Sequence, residues 1–120
     1  MATFTKVLLS GSTGGQPIKV TQTATAGTLI HTTTSSSSTI DEIWIYANNT
    51  SVSQVNLTIE YGGTTAPDNQ IITAIPSGSG LSIVIAGSVL TGDGSTGRSI
   101  RAFAGSANVI NIIGYVNRIS

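Results

Sequence analysis

The stretch IDEIWIYA at residues 40–47, followed by VSQVNLTIEY at residues 52–61, decides the fold class of this chain. Both stretches are rich in β-branched and aromatic residues, which favour extended strands over helices. From Val55 to Tyr61, apolar or aromatic residues alternate with polar ones, and this period of two is typical of a strand with one buried face. Residues 48–51 (NNTS) have the composition of a turn, so we expect the two strands to form a β-hairpin.

Short apolar segments separated by Gly, Ser, Asn or Pro continue along the rest of the chain. Further strands are predicted at residues 3–9, 18–25, 28–33, 70–75, 81–86, 99–104 and 108–119. In residues 81–86 we expect Leu81, Ile83 and Ile85 on one face. No segment has the run of Ala, Leu, Glu and Lys that favours a helix. The sequence therefore predicts one all-β domain, residues 1–120, in which about eight strands form an antiparallel sandwich.

The charge of the chain excludes several classes of partner. Lysine plus arginine and aspartate plus glutamate number five each, so the formal net charge is zero. A nucleic-acid-binding protein needs clustered basic residues to displace counterions from phosphates, and the basic residues here are scattered. No apolar stretch approaches the roughly 20 residues of a membrane-spanning helix. We therefore expect neither a nucleic-acid partner nor a membrane, and a neutral chain of this kind is prone to associate.

Groups that carry catalysis or bind metals are scarce. His31 is the one histidine, and the chain has no cysteine. Asp41 and Glu42 are adjacent on a predicted strand, so their side chains point to opposite faces. We expect Glu60 to face solvent and His31 to be a hydrogen-bonded or surface residue. The sequence predicts no catalytic residue, no metal site and no cofactor, and therefore no enzyme.

Residues 92–97 (GDGSTG) match the G-x-G-x-x-G pattern of a phosphate-binding loop. Such a loop needs a strand before it and the N-terminus of a helix after it. Residues 98–103 (RSIRAF) have the pattern of a strand instead. A single carboxylate, Asp93, is too few for a calcium site. We therefore interpret residues 92–97 as a flexible hairpin loop.

Two predicted strands are apolar on both faces, whereas a strand with one solvent-facing side should have a polar face. In residues 40–47, Trp44 and Tyr46 alternate with aliphatic residues, and Tyr115 lies on the second apolar face of residues 108–119. Trp44 and Tyr46 either fill the core between the sheets or belong to a subunit interface, where aromatic residues are enriched. Stacking on a sugar is a third option.

The N-terminal segment is a further candidate contact. Residues 3–7 alternate like an edge strand, and Phe4 is an aromatic residue that is costly to leave in water. We therefore expect residues 2–6 to contact a neighbouring protomer or a partner. The polar loops 11–17 and 35–38 are further candidates, although idle solvent-facing loops have the same composition. The candidate interface residues are Phe4, Lys6, Trp44, Tyr46 and Tyr115.

Four segments resemble small virion proteins of tailed bacteriophages: residues 27–32 (GTLIHT), 41–50 (DEIWIYANNT), 56–63 (NLTIEYGG) and 102–119 (AFAGSANVINIIGYVNRI). The resemblance covers most of the chain. It implies a virion structural protein, and above all a capsid cement or decoration protein that binds the lattice of the major capsid protein. Such a protein is made in the host cytoplasm and is located on the capsid surface of the virion. Some cement proteins are jelly-roll trimers, so the resemblance also implies a jelly-roll sandwich and a homotrimer.

Other functions remain compatible with the sequence. A tail, neck or fibre-tip component is the first alternative. A carbohydrate-binding module for host attachment is the second. An enzyme is the least favoured class, because the chain has a single histidine and no cysteine.

Overall fold

Nine β-strands, and no helix, make up the part of the chain that the computed structural model describes, residues 2–120. The strands are β1 (Phe4–Leu8), β2 (Ile18–Lys19), β3 (Thr28–Thr32), β4 (Ile40–Asn49), β5 (Val55–Tyr61), β6 (Gln70–Ile75), β7 (Ser82–Leu90), β8 (Ser99–Ala104) and β9 (Ile110–Ile119). Met1 of the predicted domain lies outside the described residues. The all-β prediction is confirmed.

The strands form two antiparallel sheets with the strand order of a jelly roll. The first, here called the β4 sheet, has the order β1-β9-β4-β7, with β2 also pairing with β9. The second, the β5 sheet, has the order β3-β8-β5-β6. Because β1 and β2 pair with successive parts of β9, they act as one interrupted strand, and each sheet then has four positions. This double-sheet arrangement confirms the predicted jelly-roll sandwich.

The core lies between the inner faces of the two sheets. β4 contributes Ile43 and Ile45, β5 contributes Leu57 and Ile59, and all four side chains are fully buried. Burying an aliphatic side chain of this size stabilises a fold by about 1.5–3 kcal/mol. The alternating apolar residues that define the strands in the sequence are therefore also the residues that hold the two sheets together.

The predicted hairpin between β4 and β5 is wrong, because the two strands lie in different sheets. Each strand has an aliphatic face, and placing the strands in opposite layers buries both faces against each other. The residues predicted as a turn instead begin inside β4, which continues to Asn49. The buried Asn49 side chain donates hydrogen bonds to the carbonyls of Ser53 and Ile75 and accepts one from the Ser51 amide. Asn49 thus fixes a crossover between the sheets.

Two other strand predictions need correction. Of the predicted strand at residues 18–25, only Ile18 and Lys19 form a strand, and the backbone of Val20 still bonds to Ile110 and Asn108. Residues 21–27 then leave the β4 sheet and run past β8. The strand predicted at residues 81–86 is β7, which extends to Leu90, and its register shifts twice against β4. Because of these irregularities the side chain of Ile83 is exposed while that of Ile85 stays in the core, so the two do not share a face.

Candidate interaction face and buried polar cluster

The side of the β4 sheet that points away from the core is here called the outer face. Along β4 every second residue is buried, and the residues between them, which include Trp44 and Tyr46, are partly exposed. Trp44 and Tyr46 therefore do not fill the core between the sheets, and that interpretation is wrong. The two remaining interpretations, an interface and a sugar-binding surface, both use this outer face.

All five candidate interface residues lie on the outer face. Cross-strand pairing arranges its side chains in rows that run from β1 through β9 and β4 to β7. One row is Lys6, Asn117, Glu42 and Val89; the next is Leu8, Tyr115, Trp44 and Ala86. Phe4 begins the row on one side of these two, and Tyr46 belongs to the row on the other side. The structure thus brings together residues that are up to 111 positions apart, from Phe4 to Tyr115.

Aromatic rings and one cation form the centre of this face. The ring centroids of Trp44 and Tyr115 are 6.1 Å apart, and the ring planes differ by 11°. The ammonium of Lys6 lies 4.9 Å from the centroid of the Tyr115 ring, within the range of a cation–π interaction. Gly87 of β7 lies against the indole, because a Cβ at this position would be 3.1 Å from Cζ2 of Trp44.

The carboxylate of Glu42 is held beside these rings. Its Oε1 accepts hydrogen bonds from Nε1 of Trp44 at 2.8 Å and from Nδ2 of Asn117 at 2.9 Å. These two hydrogen bonds, the one from Trp44 first, lower the pKa of Glu42 below its ordinary value. The outer face therefore carries an ionised, oriented carboxylate at neutral pH.

Exposed aliphatic and aromatic side chains surround this centre. Phe4 is 72% exposed, Ile83 64%, Val89 57% and Leu8 53%. They lie on the two edge strands, β1 and β7, on either side of the aromatic residues. These exposed apolar side chains, on both sides of the aromatic residues, make the outer face the candidate interaction surface.

A buried polar cluster links the two sheets on their inner sides. His31 of β3 is fully buried, and its Nε2 lies 2.9 Å from Oδ2 of Asp41 on β4. Both oxygens of Asp41 also accept hydrogen bonds from the guanidinium of Arg118 on β9, at 2.8 and 2.9 Å. The backbone N–H of Ser10 donates to Nδ1 of His31 at 3.0 Å. Since that backbone group can only donate, Nδ1 carries no proton, and the proton of the neutral ring is on Nε2.

The charge states in this cluster follow from its surroundings. Burial lowers the pKa of His31 and outweighs the opposing effect of its hydrogen bond to Asp41. Burial alone would raise the pKa of Asp41, but the hydrogen bonds from Arg118 and then His31 reverse this, and the net pKa is lowered. At neutral pH the cluster is therefore a neutral imidazole beside an ion pair. The prediction that His31 is hydrogen-bonded is confirmed.

Glu60 corrects a sequence prediction, because it is almost fully buried rather than facing solvent. The segment 20–27 covers it: the Gly27 amide donates to Oε1 at 2.7 Å, and the Thr25 hydroxyl donates to Oε2. The alternating pattern around Glu60 indicates a side chain that faces solvent. Nothing in the neighbouring sequence indicates that a distant segment of the chain covers this side chain. The partners are 33 and 35 residues away in the chain.

Residues 92–97 form a loop between β7 and β8, and a strand follows them, so the prediction that they are not a phosphate-binding loop before a helix is confirmed. The loop is not a hairpin, because β7 and β8 belong to different sheets. The Asp93 carboxylate accepts hydrogen bonds from the backbone amides of Ser95 and Thr96. Both bonds lower the pKa of Asp93, and the bond from Thr96 has the larger effect.

Among residues 2–120, no helix has the length and apolar character to span a membrane. The same residues contain no group of three or more His, Cys, Asp or Glu side chains placed to hold a metal ion, and no pocket. Comparison of the chain with protein-family models, with curated proteins and with solved structures finds no match.

Proposed function

We propose that this chain is a structural protein of a phage virion, and specifically a capsid cement protein that binds the lattice of the major capsid protein and stabilises the head. The observation that carries this proposal is the outer face, where exposed apolar side chains surround Trp44 and Tyr115. An assembly protein needs such a surface. The resemblance of four sequence segments to virion proteins supports the proposal that this assembly is a phage virion.

The aromatic residues of the outer face fit this role. Interface centres are enriched in Tyr, Trp and Phe, and Trp44 and Tyr115 lie at the centre of this face. Burying an ion at an interface costs several kcal/mol unless it is paired, so Lys6 and Glu42 need partners on the surface that they meet. The same composition would serve a tail or neck component, and the copy number in the virion distinguishes the two.

We place the capsid contact at the end of the sandwich where β1 begins. Phe4 pairs with Ile119 there, and Ile119 pairs with Ile40 at the start of β4. The loop 35–38 reaches the same end, since Ser35 and Ser36 accept hydrogen bonds from the amides of Gly94 and Gly92. Residues 2–6 and the loops 35–38 and 92–97 thus lie at the same end of the sandwich. The loop 11–17 lies elsewhere, between β1 and β2.

The test begins with the virion. Purified particles are analysed by quantitative mass spectrometry and imaged, and a cement protein is expected on the head, in a copy number that scales with the capsid lattice. A location in the tail or neck, with the low copy number of a single ring, would contradict the proposal.

A binding measurement tests the proposed contact. Purified protein is mixed with undecorated capsids and sedimented, and the variant Phe4→Ser is expected to bind more weakly. Leu81→Ser is the matched control, because Leu81 is also exposed but follows the loop at the opposite end of the sandwich. Equal loss in both variants, or in neither, would contradict a capsid contact at the Phe4 end.

A carbohydrate-binding module is the second candidate. The near-parallel rings of Trp44 and Tyr115, with Glu42 and Asn117 beside them, combine an apolar surface with hydrogen-bonding groups. Binding of the isolated protein to immobilised glycans, lost in Trp44→Ala, would favour this function over the capsid role.

A further inference from the structure

Lys6 and Glu42, two of the three charged residues on the outer face (the third is Lys19), have opposite charges and no ionic partner among residues 2–120. Lys6 of β1 and Glu42 of β4 lie in one row and are separated by Asn117 of β9. Among residues 2–120 the ion pair joins Asp41 to Arg118 and involves neither Lys6 nor Glu42. Glu42 is nevertheless held in place by neutral donors, and Lys6 by the Tyr115 ring. The row therefore presents a fixed anion and a fixed cation to whatever covers it.

The row that contains Lys6, Asn117 and Glu42 is complementary in charge to the same row of a second copy of the chain. If a second chain is placed face to face with the first, with a two-fold axis running along β9, the β1 strand of each copy lies over the β4 strand of the other. Lys6 of each chain then faces Glu42 of the other, so the dimer contains two ion pairs and each of the four charges has one partner. The neighbouring row follows the same relation, and Leu8 of each copy covers Trp44 of the other. An isologous contact requires this self-complementarity.

The proposed arrangement covers three strand positions of each copy, β1 with β2, β9 and β4, and β7 extends beyond the contact. Three positions about 4.8 Å apart, with central strands ten residues long at about 3.3 Å per residue, give a flat footprint of roughly 475 Å², which corresponds to a small interface. The relief of the side chains raises the accessible area above this footprint. A specific interface of standard size buries about 800 Å² on each partner.

We propose that the outer face is the interface of a two-fold dimer of this chain, in which Lys6 of each copy pairs with Glu42 of the other. The inference does not depend on the capsid role. It also differs from the trimer that the resemblance implies, for a geometric reason. When the same sheet face of two copies meets face to face, each copy covers the other. No part of this contact is then left for a third copy.

The residues at the centre explain why the contact would hold. Tyr115 lies on β9, next to the proposed axis, and meets its own counterpart, with Trp44 beside it. Aromatic residues at the centre of an interface contribute most of its binding energy when they are fully desolvated. The charge pairs then fix the register of the two faces.

The experiment measures the mass of the isolated protein in the absence of capsid by sedimentation, from about 1 to 100 μM, a range that brackets weak and moderate dimers. The emission of Trp44, the one tryptophan, reports its burial over the same range. We expect a two-chain mass at the upper end and a blue shift of the emission. A monomer at every concentration, or a three-chain mass, would overturn the proposal.

Charge reversal tests the pairing. Lys6→Glu and Glu42→Lys, each alone, are expected to weaken association by at least about tenfold, since each places like charges opposite each other. The double variant restores opposite charges and is expected to associate more tightly than either single variant. Lys19→Glu is the matched control: its row on this face continues with Asn111 and Asn48, which carry no charge.

The outcomes remain readable if one variant folds poorly. Glu42→Lys removes the acceptor of Trp44 and Asn117, so its thermal unfolding is measured alongside its mass. Lys6→Glu leaves those bonds intact and carries the test by itself. Unchanged association in Lys6→Glu, or equal weakening in Lys19→Glu, would overturn the proposed pairing.

Discussion

Acidification should destabilise this protein through one identifiable group, His31. Folding buries His31 completely and uses its Nδ1 as an acceptor for the Ser10 amide. Protonation of Nδ1 would turn that acceptor into a second donor and place a cation in the interior. The folded state therefore binds this proton less readily than the unfolded state, in which the pKa is close to the ordinary histidine value of 6.5.

The sign and size of the effect follow from this difference. The folded pKa of His31 is lowered, so the unfolded chain takes up the proton first and stability falls as the pH drops below 6.5. The limiting slope for one proton is about 1.4 kcal/mol per pH unit. Between pH 7 and pH 5.5 the free energy of unfolding should decrease by about 1 kcal/mol if His31 stays neutral in the fold.

The assay is urea unfolding at pH 7.0, 6.5, 6.0 and 5.5, followed by circular dichroism. His31 is the one histidine, so few other groups titrate in this window. His31→Gln is the matched control, and its unfolding free energy should be nearly flat over the same range. A proton NMR titration of the ring of His31 should give a pKa below 6.5 in the folded protein.

Two results would refute the reasoning. One is a stability that is constant, or that rises, on acidification from pH 7 to pH 5.5. The other is a folded-state pKa at or above 6.5, because it would mean that Asp41 outweighs burial. Equal slopes in wild type and in His31→Gln would assign the effect to another group.

Variants at three further positions test the ion pair of Asp41, the contact of Gly87 with Trp44 and the hydrogen bonds of the buried Glu60. Asp41→Asn leaves the guanidinium of Arg118 without its carboxylate and should cost about 3 kcal/mol in urea unfolding; a loss below about 1 kcal/mol would argue against a tight pair. Gly87→Ala places a Cβ at a residue with φ of 81° and against the indole of Trp44, so it should cost about 1–2 kcal/mol and shift the tryptophan emission, and no change in either would contradict the contact. Glu60→Leu removes the acceptor of a buried backbone amide and should cost about 1–3 kcal/mol, with Glu60→Gln costing less; equal losses would mean that the hydrogen bonds do not matter.

The strands themselves could be predicted because their signals are local. Alternating apolar residues from Val55 to Tyr61, and Gly, Ser or Asn between segments, depend on neighbours within a few positions. Strand partners depend on distant residues, so the hairpin of β4 with β5 was a reasonable prediction and still wrong. The Asn-rich segment after Ala47 indicates a change of direction, but it does not indicate whether the chain returns in the same sheet or crosses to the other one.

The burial of particular side chains was harder to predict for the same reason. β4 is apolar on both faces, so alternation alone cannot decide whether Trp44 or Ile45 faces the core. Asp41 lies on the same face as Ile45, and a carboxylate would normally indicate the exposed side. The interior accepts Asp41 because Arg118, 77 residues later, and His31 satisfy its oxygens. No spacing in the sequence reveals that partnership.

The adjacent acids Asp41 and Glu42 contribute to two different properties, the stability of the fold and the proposed association of two copies. Asp41 points inward and joins the two sheets through its hydrogen bond with His31, so acidification at this site lowers the stability of the fold. Glu42 points outward, and hydrogen bonds from Trp44 and then Asn117 lower its pKa below 4.5. It therefore stays ionised between pH 7 and pH 5.5, where the fold weakens. If Glu42 pairs with Lys6 of a second copy, the dimer should persist at pH 5.5 while the unfolding free energy falls. Sedimentation and unfolding measured on the same samples would separate the two, and dissociation that follows the titration of His31 would show that the face and the buried cluster are not independent.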